Sequence, residues 1–283
     1  MTIYVLPFEK MHGLGNDFIM IERRHLPNNV DDIKLAKIIC DRHFGIGADG
    51  IIIVDFPNTK EADFKWDYYN SDGSEAQMCG NGMRCFAKYV FEKGFTDQIS
   101  FSVMTKAGII IPKINDDGTV TVDMGKPFIP DKLKEELTVD SKKLTYTYIE
   151  TGNHHCVIFL DYVISDDEFY SLGPKIEKHT KFSEGINVEF AQVITRNKIN
   201  VRVWERGCGE TLACGTGACA VHIAANINNL CDDTTSVILP GGELKIFWDK
   251  KSRHVYLSGP ANFLFAGQFN LDPKLICTNN KEM

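Results

Sequence analysis

The fold is decided by two short matching stretches, Cys79-Gly80-Asn81-Gly82 and Cys214-Gly215-Thr216-Gly217. After the first, apolar residues recur with helical spacing at Met83, Phe86, Ala87, Val90 and Phe91, and Gly94 is a suitable end. After the second, the run ACAVHIAAN is apolar almost all round, which is typical of a buried helix. We therefore predict that each cysteine precedes a helix N-terminus, on a glycine turn whose N–H groups can hold an anion and lower the pKa of the thiol.

The match extends beyond the cysteines and indicates an internal repeat. A shift of 135 residues places Glu75 on Glu210 and Cys79 on Cys214. Shifts of 134 to 140 residues align further anchors in the same order, which are Gly15 with Gly152, Gly45 with Gly185, Gly108 with Gly242 and Gly125 with Gly259. The chain is therefore interpreted as two copies of one design, at about 9–127 and 146–264.

Each copy combines strand-like stretches with few helices, which predicts an α+β protein of two pseudo-symmetric domains. The predicted strands near the end of each copy are Ile109–Ile114, Val120–Met124, Leu244–Trp248 and Val255–Leu257. The charged, proline-containing segment Lys126–Lys143 is interpreted as a connector. The predicted domains are 1–126, with 265–283 returning to it, and 127–264. A site between two such domains would receive one cysteine from each.

Composition excludes several classes of protein. The 283 residues carry 31 Lys+Arg against 38 Asp+Glu, a net charge of -7, which argues against a nucleic-acid or anionic-membrane surface. No apolar run approaches the roughly 18 residues of a membrane span, and the first residues lack the pattern of a signal peptide. Nine cysteines are an odd number in a chain too long to need disulfides, so we expect a reduced, cytoplasmic protein.

Two further motifs are weak. The stretch Gly45–Gly50 matches G-x-G-x-x-G, but a helical pattern at Ile33–Cys40 precedes it and the strand Ile51–Val54 follows, the reverse of a dinucleotide site. The run His154-His155-Cys156 could suggest a metal, but no second cluster has zinc-ligand spacing. We expect neither a nucleotide nor a metal site.

Two matched thiols fit one kind of chemistry better than others. Acyl transfer needs a single nucleophile, whereas a two-base proton transfer needs two groups of similar basicity on opposite faces of a carbon. One thiolate removes a proton and the other thiol delivers one, which inverts the carbon. Helix N-termini would stabilise the carbanion through its carboxylate without a cofactor. The residues alone therefore indicate an epimerase or a racemase and nothing more specific.

At these residues the sequence resembles the diaminopimelate epimerase family. Residues 70–84 read NSDGSEAQMCGNGMR and residues 204–218 read WERGCGETLACGTGA. The opening KMHGLGNDF at 10–18 and the late GPA at 259–261 also match, and the resemblance runs from about 8 to 268. It implies a fold in which each domain is a mixed β-sheet wrapped around a central helix.

The resemblance also implies an activity and a set of site residues. The reaction is the interconversion of LL- and meso-2,6-diaminopimelate without pyridoxal phosphate or another cofactor, in lysine biosynthesis and cell-wall precursor supply. Cys79 and Cys214 would be the acid/base pair, and His155 and Glu205 would help to set the pKa values of the thiols. A homodimer is implied as well. The residues implied to bind substrate are Asn16, Asn70, Gly80, Asn81, Asn153, Asn187, Glu205, Arg206, Gly215 and Thr216.

The chain departs from the family pattern at three places. His154 stands where many members have proline, Gly50 where some have a substrate-contacting glutamine, and Phe265 where some have an interface tyrosine. Three alternatives stay open. These are a proline or hydroxyproline racemase, a redox protein whose two cysteines cycle through a disulfide, and a non-catalytic amino-acid-binding module.

Overall fold

The structure is a computed structural model, and it describes residues 4–57 and 59–277. The chain divides into two compact units. The first contains the described residues up to Val122 and those from Pro260 onward, and the second is Asp123–Gly259. The strands are β1 Tyr4–Gly13, β2 Asn16–Glu22, β3 Gly50–Asp55, β4 Phe64–Asn70, β5 Val103–Thr105, β6 Gly108–Ile110, β7 Lys113–Ile114, β8 Val120–Asp123, β9 Glu135–Val139, β10 Lys142–Glu150, β11 His154–Leu160, β12 Asn187–Thr195, β13 Lys198–Glu205, β14 Gly209–Thr211, β15 Thr234–Leu239, β16 Gly242–Trp248, β17 Val255–Gly259 and β18 Asn262–Leu271. The α-helices are α1 Asp32–Ile39, α2 Gly80–Glu92, α3 Asp166–Glu177, α4 Gly215–Ile227 and α5 Pro273–Ile276.

The first unit is a mixed sheet packed around α2. Its strand order is β18-β1-β2-β3-β4-β5-β6. The pairs β2–β3 and β4–β5 are parallel and the other neighbours are antiparallel. Helix α2 contacts β1, β2, β3 and β7. It ends at Glu92, with Lys93 as its C-cap, and is followed by Gly94, whose φ is 71°. Ten of the thirteen residues of α2 are buried, so this helix is the centre of the unit.

The second unit repeats this arrangement around α4. Its strand order, read in the same direction, is β9-β10-β11-β12-β13-β15-β16-β17, and β14 pairs with β13. The parallel steps recur at the same places, between β11 and β12 and between β13 and β15. Helix α3 packs on the sheet through an apolar cluster that includes its own Phe169 and Ile176 together with Phe190 of β12. The predicted α+β fold of two repeated units, each with a central helix, is confirmed.

Two details of the predicted elements are wrong. The predicted connector Lys126–Lys143 contains β9 and the start of β10, because Leu137 and Val139 alternate inward with exposed polar residues. The predicted strand Ile109–Ile114 is divided into β6 and β7, since Pro112 between them has no N–H to donate to a ladder. Within the described residues, no helix is long and apolar enough to cross a membrane.

Candidate active site

Cys79 is the N-cap of α2, as its spacing from the following apolar residues predicts. Its backbone is extended, with φ -144° and ψ 118°, and its sulfur accepts a hydrogen bond from the Gly82 N–H at 3.4 Å. Glycine at position 82 is required by space, since a Cβ there would lie 2.9 Å from Trp66 and 3.1 Å from Ile52. The turn therefore places the thiol at the positive end of a buried helix.

Asn16 connects the Cys79 turn to the loop before β3. It follows a tight turn in which Leu14 and Gly15 both have positive φ. The Asn16 Oδ1 atom accepts hydrogen bonds from the Cys79 thiol at 3.8 Å and from Asn81 Nδ2 at 3.2 Å, and its Nδ2 donates to Asp49 at 2.7 Å. Three of the predicted substrate and acid/base residues of this unit are therefore in direct contact.

Behind this contact lies Arg84, one turn further along α2. Its side chain is fully buried, and it donates from Nη1 to Asn81 Oδ1 at 2.9 Å and from Nε to the Pro260 carbonyl at 3.1 Å. Arg84 was not singled out from the sequence, although it stands in the first signature. It fixes the Asn81 amide, whose Nδ2 is thereby directed to Asn16.

Asn70 lies at the end of β4, where its side chain has hydrogen-bond partners of its own. Its Oδ1 accepts from the Tyr68 hydroxyl at 2.7 Å, and its Nδ2 donates to Ser74 Oγ at 2.9 Å. Its backbone pairs with Gly50 of β3. There is no room for a larger residue at position 50, because a Cβ would lie 2.6 Å from the Tyr68 ring. Packing against Tyr68 therefore requires glycine at this position, where the chain departs from the family pattern.

Cys214 is the N-cap of α4 and repeats the geometry of Cys79. Its sulfur accepts from the Gly217 N–H at 3.4 Å and also lies 3.4 Å from the Thr216 hydroxyl. The Thr216 carbonyl accepts from the Thr151 hydroxyl at 3.0 Å, which anchors the turn to the end of β10. Cys214 is only 3% exposed, whereas Cys79 is half-buried, so the two thiols differ in their access to solvent.

The predicted lowering of the thiol pKa is wrong for Cys214. Burial raises the pKa of this thiol well above its ordinary value, and the carboxylates of Glu205 and Glu189 raise it further. The Thr216 hydroxyl and the Gly217 N–H favour the thiolate but are outweighed. Desolvation therefore outweighs the favourable contacts of the thiolate at this helix N-terminus.

Beneath the Cys214 turn lies a buried pair of ionisable side chains, His155 on β11 and Glu189 on β12. Neither is exposed, and His155 Nδ1 lies 2.6 Å from Glu189 Oε1. Burial raises the pKa of Glu189, while the adjacent His155 opposes the shift. Glu189 is the functional candidate that the sequence reasoning missed. The segment NVEFA marks it only as one acid in an apolar strand.

The remaining predicted residues of the second unit lie at the start of β12, at the end of β13 and in the turn between β10 and β11. Asn187 is buried, donates from Nδ2 to the His154 carbonyl at 3.0 Å and accepts from the Arg206 N–H at 2.9 Å. Glu205 accepts from the Thr211 hydroxyl at 2.6 Å. The exposed Arg206 side chain donates to the Glu184 carbonyl at 3.1 Å. Asn153 is exposed, and its carbonyl accepts from the Thr151 N–H.

The first residues of α2 and α4 can receive an anion. Gly80 and Gly215 open these helices, and both are buried. The N–H groups of a first helical turn point along the axis, which favours a carboxylate there. Over residues 4–57 and 59–277, no group of three His, Cys, Asp or Glu side chains could hold a metal ion.

The duplicated fold defines a class that solved structures also show. A hydroxyproline epimerase from Agrobacterium vitis matches with a TM-score of 0.69 at 13% identity, over 96% of this chain and 94% of that one. A methylitaconate-delta-isomerase matches with a TM-score of 0.70 at 12% identity, over the whole of both chains. At these identities the likeness shows the fold alone. The fold is therefore that of a two-unit class to which several isomerases belong.

Sequence comparison makes the assignment more specific. The family model described as Diaminopimelate epimerase matches residues 8–129 and 147–264. A relative of that name from Desulforapulum autotrophicum is 45% identical, over 94% of this chain and 99% of its own. Another from Heliobacterium modesticaldum is 44% identical, over 94% of this chain and 100% of its own. The chain belongs to the diaminopimelate epimerase family and is an isomerase.

Proposed function

We propose that the protein interconverts LL- and meso-2,6-diaminopimelate by a two-base mechanism in which Cys79 and Cys214 are the acid and the base. The observation that carries the proposal is the matched pair of N-cap cysteines, each accepting an N–H bond from the glycine three residues on. Relatives named for this reaction match at 44–45% identity over more than nine-tenths of the chain.

The proposed chemistry moves one proton in and one proton out. A thiolate takes the α-proton and becomes a thiol, and the electron pair of the broken C–H bond passes into the adjacent carboxylate. The other thiol then protonates the opposite face of the carbon and becomes the thiolate. The N–H groups of Gly80, Asn81, Gly215 and Thr216 are proposed to bind that carboxylate while its charge increases. No external oxidant, reductant or cofactor is needed for this balance.

The residues at the strand ends support a substrate with a second amino-acid group. Asn16, Asn70, Asn153 and Asn187 are proposed to contact polar groups of the substrate. Glu205 is proposed to bind the distal ammonium, and Arg206 the distal carboxylate, since a guanidinium pairs with a carboxylate through two parallel hydrogen bonds. His155 and Glu205 are proposed to set the pKa values of the thiols. Proline and hydroxyproline lack a distal amino-acid group, so the proposed roles of Glu205 and Arg206 favour diaminopimelate over those substrates.

The setting of the reaction is part of the same proposal. The product would supply lysine biosynthesis and cell-wall precursors, in the cytoplasm. A homodimer is supported by β18, which lies at the edge of its sheet and exposes Leu264 and Phe265 by about half. Phe265 packs edge-to-face on Phe8 with the ring centroids 6.0 Å apart, which holds its ring at this edge.

Isotope exchange tests the substrate assignment. The protein is incubated under reducing conditions in D2O with LL-diaminopimelate, L-proline or trans-4-hydroxy-L-proline, and deuterium at the α-carbon is followed by NMR. We expect deuterium in diaminopimelate, with formation of the meso isomer, and none in either proline. Label in proline alone would favour the racemase alternative. No label in any substrate would favour a binding or redox role.

A further inference from the structure

The two units differ in chemistry at one buried layer. This layer is formed by Phe18 and Ile52 in the first unit and by His155 and Glu189 in the second. The strand registers correspond, because Phe18 pairs with Gly50 across β2 and β3, and His155 pairs with Asn187 across β11 and β12. Two residues further along the second strand of each pair, Ile52 therefore corresponds to Glu189. The first unit has an apolar pair at this place, and the second has an ionisable pair.

The layer lies directly beneath the glycine of each cysteine turn. A Cβ at Gly82 would lie 3.1 Å from Ile52 and 3.5 Å from Phe18, and a Cβ at Gly217 would lie 2.8 Å from Glu189 Oε1. Phe18 and Ile52 are fully buried, as are His155 and Glu189. The fold is therefore satisfied by apolar side chains at this place and does not require a carboxylate or an imidazole.

A buried carboxylate is costly unless its neighbours compensate it, and this one is compensated only in part. Glu189 Oε1 is bonded to His155, but among the described residues Glu189 Oε2 has no hydrogen-bond partner, nor has His155 Nε2. The second unit has an incompletely bonded ionisable pair where the first has an apolar pair, which indicates that the role of Glu189 lies in what its carboxylate does to His155.

We propose that Glu189 is a positioning residue of the active site, whose carboxylate accepts the Nδ1 proton of His155 and fixes that ring as the tautomer with a bare Nε2. An acceptor on Nδ1 determines which ring nitrogen carries the proton of a neutral histidine. Nε2 then offers a lone pair to a proton donor that enters the site. The same carboxylate places negative charge beneath Cys214 and not beneath Cys79, which adds to the difference that burial and Glu205 already make between the two thiols. This inference deepens the proposed function and uses it for its kinetic test.

The first test needs no substrate. Nitrogen-15 NMR of histidine-labelled protein reports which ring nitrogen is protonated, and the signal of His155 is the one missing in a His155→Gln variant. We expect the Nδ1-protonated form in the parent protein near pH 7.5. A parent protein with the proton on Nε2 alone would overturn the proposal, whether or not the enzyme acts on diaminopimelate.

The second test is kinetic and uses Glu189→Gln, which keeps the shape and removes the charge. We expect kcat to fall by about 100-fold, within the range of general acid–base effects, with a smaller change in KM. The pH profile of kcat should move to lower pH, because a negative charge near His155 and Cys214 is lost while the other nearby carboxylate, Glu205, remains. In a His155→Gln background, Glu189→Gln should have little further effect on kcat.

The control is Glu177→Gln, the same substitution at another buried carboxylate of the unit. Glu177 accepts from the Trp204 Nε1–H at 2.8 Å and from the Gly207 N–H at 2.9 Å, and it does not contact His155. It should lower the melting temperature and leave the His155 signal and the pH profile of kcat unchanged. An unchanged kcat in Glu189→Gln, or an equal fall in the His155→Gln background, would overturn the proposal. An inactive parent protein would instead refute the proposed function.

Discussion

The guanidinium of Arg84 donates to the side-chain oxygen of Asn81 at 2.9 Å while completely buried. It also donates to the Pro260 carbonyl, so one side chain connects the first turn of α2 to the segment before β18. Asn81 in turn donates to Asn16, and Asn16 accepts from the Cys79 thiol, so a series of hydrogen bonds connects the buried guanidinium to the thiol.

Replacement of Arg84 by Met is therefore expected to lower both stability and activity. Loss of the buried hydrogen bonds should reduce the free energy of unfolding by about 3 kcal/mol, measured by urea denaturation. The value of kcat/KM should fall because Asn81 is no longer held. Arg84→Lys keeps the charge without the forked geometry and should be intermediate. An Arg84→Met variant with the stability and kcat/KM of the parent would contradict this role.

Gly217→Ala tests the close approach of the Cys214 turn to Glu189. The new methyl group would lie 2.8 Å from Glu189 Oε1 and 3.3 Å from the Cys214 sulfur, so one of them must move. We expect a loss of about 1–3 kcal/mol in stability and at least about a tenfold loss in kcat. Gly118→Ala is the control, because its φ is +77° but a Cβ there meets nothing within 4 Å. It should cost about 1 kcal/mol and leave kcat unchanged.

The decline in the free energy of unfolding at acid pH should depend on Asp17. Burial disfavours its charge, but hydrogen bonds from Arg42 and Lys10 outweigh burial and lower the pKa of the carboxyl to about 2. A pKa below the unfolded value of about 3.9 gives stability that is present above that pH and is lost as the pH falls toward 2.

Asp17→Asn should therefore lower the free energy of unfolding at neutral pH by about 2 kcal/mol and flatten its decline between about pH 4 and pH 2. Urea denaturation over this range measures both effects. Asp97→Asn, at an exposed position, should keep the profile of the parent. A profile for Asp17→Asn as steep as that of the parent would assign the acid sensitivity to other carboxyl groups.

The cysteines should differ in their rates of alkylation. Cys208 is exposed and Cys79 half-buried, whereas Cys214 is buried with a raised thiol pKa. Iodoacetamide near pH 7.5 should label Cys208 first and Cys79 next, with Cys214 as slow as the buried Cys156, because the thiolate is the reactive form. Peptide mass spectrometry gives the three rates. Labelling of Cys214 as fast as that of Cys208 would contradict its description as a buried thiol.

Local patterns predict the elements that carry the two cysteines. The apolar spacing from Met83 to Phe91 and the stop at Gly94 give α2, which ends at Glu92. The apolar run after Gly217 gives α4, and α1 and β3 lie around the Gly45–Gly50 loop in the predicted order. These features depend on neighbours in sequence, so one sequence is enough to find them.

The errors arise where tertiary context decides. β9 is concealed because Glu135 and Glu136 look like part of a charged linker, until Leu137 and Val139 are placed against the core. The raised pKa of Cys214 depends on desolvation and on carboxylates from other strands, which no local motif contains. Glu189 meets His155 only through the register of β11 and β12, 34 residues apart in the chain.

The most direct measurement of the two-thiol mechanism is the rate of LL-to-meso conversion of diaminopimelate by the parent protein and by Cys79→Ser, Cys214→Ser and Cys156→Ser. Cys156 is a fully buried thiol and serves as the control. The melting temperature shows whether each variant is folded. If both N-cap thiols move protons, kcat should fall by about 100-fold or more in Cys79→Ser and in Cys214→Ser. Cys156→Ser should keep the rate of the parent. A folded Cys79→Ser or Cys214→Ser variant that epimerises at the parent rate would contradict the mechanism.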